Sequence, residues 1–424
     1  METASAPSKS GRASAEGWRR MFSALRNPNY RYFYIGQSVS LIGTWTRSAA
    51  LGWVAFQAAR SQFLLGLVFT LNSLPLFLFV TYAGALADRI PKIRIFEATS
   101  WFALCSSLAL ALMLFHGPVH IGYLMVFATL WGTAMAFEMP ARQTLMVDLV
   151  GKDDLVNAIA LNSAMVNSTR VIGPAIGGAL LATVGSAWCF LVDALSYLAV
   201  LYAISRIRLP PEHYARRRER GGLRHALEGF GYLKTNPSIA EAIALLFVMG
   251  LGGWAYQSQM SAFAVTQLKM GAGGYGRLLV FNGAGACAAA MLVAAGGERL
   301  LGARVLYAGT AMFSAFIALF GAAHRALPAE AALFFAGFGI ILFFSVGNSL
   351  VQTQSPDRLR GRIMGIWALA FGGGMPVGSF WLGLLASRTS SGFALQAGGT
   401  FCALGALAVF SFFRLMPGNA RQNE

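Results

Sequence analysis

Long apolar runs separated by short polar punctuation dominate this chain. Twelve runs stand out, at about 32–58, 63–87, 95–115, 119–139, 156–183, 186–206, 239–265, 274–296, 303–323, 329–352, 362–386 and 391–415. Each is long enough to cross the hydrocarbon of a bilayer, which takes roughly 20 mostly apolar residues. Membrane-barrel strands would be runs of about 10 residues with alternating polarity. These runs are longer and do not alternate. Lipid leaves no partner for an open backbone, so the pattern predicts an all-α membrane protein of twelve transmembrane helices. The first run is too long for a cleaved leader, whose apolar stretch is about 7–15 residues with a small-residue cleavage site after it.

The polar connections divide the chain. A basic tail (1–29) precedes a six-helix bundle (30–206), and a linker (207–238) with ARRRERGGLRH at its centre follows. A second six-helix bundle (239–415) and a short tail (416–424) complete the chain. The halves echo each other. ALADRIPKIRI (85–95) after span 2 aligns with AGGERLLGARV (295–305) after span 8, and LVGKDDLVNAI after span 4 with QSPDRLRGRIM after span 10. Matched halves of this kind are what alternating-access carriers are built from.

Composition agrees: 56% of the 424 residues are hydrophobic and 12% charged, against about 25% charged in soluble domains. Mean hydropathy is +0.57. The net charge of +16 reads as topology, because Lys and Arg mark the cytoplasmic loops. With the N-terminus inside, 26 of the 33 cations fall in cytoplasmic segments, 5 in outer ones, and Arg47 and Arg170 within spans. Both termini are therefore expected in the cytoplasm. The linker cations suit a solvated connection or an anionic lipid surface. Basic patches interleaved with aromatics are lacking, so no nucleic-acid partner is expected.

The same reading excludes familiar soluble chemistry. The sequence contains no GxxxxGK[ST] for ATP-driven pumping and no HExxH zinc motif. Cys105, Cys189, Cys287 and Cys402 each lie in an apolar run without CxxC spacing, as buried small hydrophobes. Neither cofactor, metal nor enzymatic activity is expected.

GALADRIPKIRI (84–95) places an acid and three cations between two spans. This loop resembles the signature of the major facilitator superfamily, G-x-L-A-D-R-x-G-R-K/R, through Gly84, Leu86, Asp88, Arg89, Lys92 and Arg94. It departs at Pro91 and Ile93. The stretch from Ala136 to Gly178 is similar to the siderophore-exporter and drug-efflux branch of that superfamily, and RVIGPAIGG (170–178) to its exporter-type fifth-span motif. The resemblance covers about residues 22–415. It implies two six-helix bundles around a central cavity lined by spans 1, 4, 7 and 10, and secondary transport commonly driven by proton exchange.

On that resemblance, Gly84, Asp88, Arg89, Lys92 and Arg94 form a conformational latch on the cytoplasmic side. A local turn that only fixes topology is the competing reading. Arg47, Glu138, Arg170 and Asp193 are the candidates for an embedded charge network, since a buried Arg costs from about 3 to more than 10 kcal/mol unless paired or hydrated. A cation swinging toward and away from a carboxylate would couple protons to transport; a static ion pair tying helices together is equally consistent. Gly173, Pro174, Gly177 and Gly178 read as a kink with a close-packing face. Gln37, Thr44 and Trp45 in span 1, Trp254, Tyr256, Gln257 and Gln259 in span 7, and Asn348 and Gln352 in span 10 are candidate substrate contacts. The expected activity is proton-coupled export of amphipathic small molecules, siderophore-like or drug-like, by a monomer in a bacterial inner membrane. The alternatives are an importer or facilitator of the same fold, or a non-transporting scaffold or sensor.

Overall fold

The computed structural model describes residues 23–87, 90–151, 154–208, 230–356 and 359–415. Asp88, Arg89, the centre of the linker and most of both tails lie outside them. Twelve long helical rods run through the described residues: α1 (Pro28–Ala59), α2 (Gln62–Ala87), α3 (Lys92–His116), α4 (Ile121–Val150), α5 (Leu155–Thr183), α6 (Ser186–Arg206), α7 (Pro237–Thr266), α8 (Ala272–Gly296), α9 (Ala303–Ala322), α10 (Ala326–Gln354), α11 (Arg360–Arg388) and α12 (Ser391–Leu415). Ten are long and apolar enough to cross a membrane. The other two, α1 and α5, are long enough but more polar, because they carry Arg47 and Arg170 among Thr, Ser, Gln and Asn side chains.

Local chemistry sets the ends. Asn27 caps α1 by accepting from the Asn29 and Tyr30 amides, with Pro28 in the first turn. Asn236 and Pro237 repeat the arrangement at α7. A side-chain oxygen at this position satisfies an otherwise orphaned amide, and proline there gives up no needed donor. Upstream of α1, Ser23 Oγ donates to Asp154 Oδ1 at 2.6 Å and Asn27 Nδ2 to the Leu149 carbonyl at 2.7 Å. These bonds seat the entry segment on the α4–α5 turn.

The rods sort into α1–α6 and α7–α12, with the same partners in each set. Helix α2 packs on α4 as α8 does on α10, and α3 on α6 as α9 does on α12. Between the sets, α2 meets α11 and α5 meets α8. Glycine makes the second meeting possible: a Cβ on Gly178 would sit 2.5 Å from the Gly276 Cα, and the converse holds.

Helix α7 departs from a regular rod. Met249–Trp254, MGLGGW, winds as a π-helical segment between two α-helical ones. Its glycines admit close neighbours; a Cβ on Gly252 would approach the Gly398 carbonyl at 2.9 Å. Such π segments frequently mark functional sites.

Candidate functional site

Hydrogen bonds between the two helix sets cluster toward one end of the molecule, where α1 turns into α2 and α7 into α8. Ser261 Oγ donates to the Gly52 carbonyl at 2.8 Å, Gln259 Nε2 to the Gln62 carbonyl at 3.2 Å, and Thr70 Oγ1 to the Pro376 carbonyl at 3.1 Å. Trp53 stacks on Tyr275 with centroids 5.8 Å apart, and Phe63 meets Phe380 edge-on. Among the described residues, no hydrogen bond crosses between the sets nearer the α2–α3 end than Thr70.

A cavity, partly open to solvent, lies between the sets. Trp45, Ser48, Arg170 and Pro174 line it from one side, and Trp254, Tyr256, Gln257, Tyr275 and Asn282 from the other. The Arg170 guanidinium carbon lies 5.2 Å from the Trp45 ring centroid and 5.4 Å from that of Trp254. One cation thus bridges an indole of each set. Trp254 closes the π-helical segment and is held edge-on by Phe344 and Phe371 at 5.2 and 5.0 Å. Tyr256 donates through its hydroxyl to Asn282 Oδ1 at 3.0 Å, and Asn282 Nδ2 donates to the Leu333 carbonyl at 3.2 Å. These bonds leave the cavity wall orientationally fixed.

A second, smaller cavity lies inside the first helix set. Gln37, Ser40, Thr44, Arg47, Trp131, Glu138, Arg142 and Tyr197 line it. Beside it, Arg47 Nε sits 2.9 Å from Asp193 Oδ2 as an ion pair, without the alignment of a hydrogen bond. Ser107 Oγ donates to the same carboxylate oxygen at 2.6 Å, while Asp193 Oδ1 has no partner among the described residues. The guanidinium carbon of Arg47 also rests 4.1 Å from the Trp131 ring centroid, and Trp131 is oriented by donating to Ser106 Oγ at 2.9 Å. Asp193 is 0% exposed, so its charge depends on Arg47 and Ser107. Glu138, also buried, has Arg142 Nη1 at 3.9 Å one turn along α4. Two carboxylates and two guanidiniums thus lie around or beside one small polar space.

The four embedded charges therefore fall in two places. Arg47, Asp193 and Glu138 group in the first set, and Arg170 stands at the central cavity. Thr44 and Trp45, adjacent in sequence, face different cavities because successive residues turn about 100° around a helix. Gln37 lines the second cavity, and Gln259 joins the sets. Asn348 and Gln352 line neither cavity; the Gln352 carbonyl accepts from Arg360 Nε at 3.0 Å. Gly173 lies against α1, where a Cβ would meet the Ile42 carbonyl at 2.8 Å, and Gly177 against Thr46. Near the α2–α3 end, Lys92 Nζ pairs with Asp148 Oδ2 at 2.7 Å within the first set, and Arg94 is exposed. Gly84 sits in the last turn of α2. Trp131, Ser107, Tyr197 and Asp148 are participants that sequence reasoning missed. Buried aromatics and serines are ordinary in membrane helices, so nothing in the sequence separates Trp131, Ser107 and Tyr197 from packing residues, and Asp148 lies beyond the predicted fourth span.

Comparison with known proteins agrees with this architecture. The profile of the transmembrane secretion effector family matches residues 20–424. The enterobactin exporter EntS of Escherichia coli K12 is 26% identical over 433 residues, covering 95% of this chain and 97% of that protein. The staphyloferrin A transporter of Staphylococcus aureus is 31% identical over 176 residues, 41% of this chain and 44% of that protein. Among solved structures, a bacterial homologue of the human lysosomal transporter Spinster, inward-facing and unoccupied, superposes with a TM-score of 0.71 at 14% identity. It covers 91% of this chain and 97% of that one. The nucleoside transporter NupG superposes with a TM-score of 0.69 at 11% identity, covering 91% and 99%. The chain thus belongs to the transmembrane secretion effector family of the major facilitator superfamily, and is a multi-pass membrane transporter rather than an enzyme.

Proposed function

We propose that this chain is a secondary active exporter of the bacterial inner membrane, moving amphipathic small molecules outward by alternating access in exchange for protons. The observation that carries the reading is one cavity held between two helix sets whose hydrogen bonds to each other, among the described residues, lie toward a single end. The bias of Lys and Arg toward the opposite end puts that joined end outside. The described conformation then corresponds to a state sealed toward the outside. Release on the other face requires the α1–α2 end to part. The relatives named above, an enterobactin exporter and a staphyloferrin A transporter, favour a siderophore-like cargo.

The Arg47–Asp193 pair and Glu138 are assigned to proton coupling. The group lies beside a cavity of its own, away from the central one, so proton and cargo need not compete for the same atoms. Protonation of Asp193 would release Arg47 and loosen the contact between α1 and α6. Helix α1 also touches the second set at Gly52, which gives that loosening a route to the joined end. Asp88, Arg89, Lys92 and Arg94 act as the cytoplasmic latch of the opposite state.

Everted vesicles test the direction. With the lumen made acidic, they should accumulate enterobactin, and a protonophore should abolish the accumulation. Accumulation by right-side-out vesicles under the physiological gradient would instead identify an importer. An absence of flux for every siderophore and drug-like amphipath tried would leave a scaffold.

A further inference from the structure

Arg170 sets a charge problem that the proton-coupling group does not solve. Its guanidinium offers five N–H donors and no acceptor. In the structure Nε is fully buried and has no hydrogen-bond partner, and among the described residues Arg170 forms no ion pair. The faces of Trp45 and Trp254 stabilise the positive charge through the ring quadrupoles. They supply no oxygen for the N–H donors. Among the described residues, the cavity lining contains no Asp, Glu or Lys. Both buried acids of the first set, Glu138 and Asp193, belong to the other cavity.

We propose that the central cavity is a receptor for an organic anion with a flat aromatic portion. Its acid group pairs with Arg170, and its flat portion lies against the indoles and Tyr256. Resting on the transporter reading, this assigns a charge sign to the cargo. Binding neutralises the uncompensated cation in a low-dielectric site, where charge-assisted bonds to a carboxylate are at their strongest. A cationic cargo would bring like charge to Arg170 with no acid in the lining to offset it. Because Arg170 meets Trp45 of one set and Trp254 of the other, an anion bound there touches both sets at once.

The test uses the purified full-length chain in detergent, where binding is measured without any flux. Three probes share one aromatic body: 2-naphthoate, 2-naphthamide and 2-naphthyltrimethylammonium. Naphthoate should bind at least about tenfold more tightly than the other two, since a hydrogen bond to a charged group contributes about 1.5–3 kcal/mol. Arg170→Gln should lose that advantage, while Arg170→Lys keeps part of it; gel filtration and circular dichroism establish that each variant is folded. Equal binding of the three probes overturns the assignment, as does undiminished naphthoate binding by Arg170→Gln or no saturable naphthoate binding at all. Competition by inorganic phosphate as strong as that by naphthoate removes the organic part of the claim. The vesicle experiment reads direction and proton coupling, so it can fail while this preference stands, and the reverse.

Discussion

Truncating Asp193 to alanine separates two roles for the buried charge group. The carboxylate is 0% exposed and Arg47 is 7% exposed. Removing it leaves a buried guanidinium supported by the Trp131 ring at 4.1 Å and by the charge of Glu138 across the same small cavity. Breaking a buried pair in this way costs about 3–5 kcal/mol, less whatever the ring contact, up to about 2 kcal/mol, retains. The net loss expected for Asp193→Ala is therefore about 1–5 kcal/mol. Replacing both partners by apolar side chains of similar volume, Arg47→Met with Asp193→Leu, removes the stranded charge. Such replacements are often neutral or stabilising. The assay is unfolding in mixed micelles titrated with a denaturing detergent, run on the wild type, Asp193→Ala and the double variant. Vesicle transport is measured on the same three proteins. The single variant should be destabilised and the double variant restored in stability, with transport lost in both. An Asp193→Ala protein within about 0.5 kcal/mol of wild type, the range of ordinary surface substitutions, would refute the pair as a structural tie. A double variant that recovers gradient-driven transport along with stability would refute the coupling role and leave a static ion pair.

Two further substitutions probe the motion. Gly178→Ala places a methyl 2.5 Å from the Gly276 Cα, where carbon atoms ordinarily rest about 3.5–4.0 Å apart. Overpacking of this kind costs about 1–3 kcal/mol and should shift the population toward a state open at the α1–α2 end; spin labels at Val184 and Thr389 in a cysteine-free background should then show a longer-distance population. Asp88→Asn should insert normally but slow vesicle transport, and unchanged rates would rule out the latch.

Much of the candidate site was legible because membrane burial makes charge expensive. Arg47, Glu138, Arg170 and Asp193 stand out of their apolar runs without any structure. Their pairing was not legible. Arg47 lies in α1 and Asp193 in α6, 146 positions apart along the chain, and no periodicity says which of two arginines meets which of two acids. Lys92 likewise read as a latch residue, while its partner Asp148 carried no signal. The seventh span read as one helix; its glycines were visible, but the π-helical winding that orients Trp254 depends on α11 and α12 pressing against Gly250 and Gly252.

The sequence by itself determined the solvent, the helical class and the two-fold repetition, because each follows from a local rule. A backbone in lipid must satisfy its own hydrogen bonds, and a run of apolar residues has only one economical way to do so. Tertiary structure alone decided that Arg170 and Arg47 serve different cavities and that the helix sets join toward one end. Those outcomes depend on which faces of distant helices meet. Close contacts such as Gly178 on Gly276 settle that, and they involve small side chains whose identity says little until the opposing surface is in place.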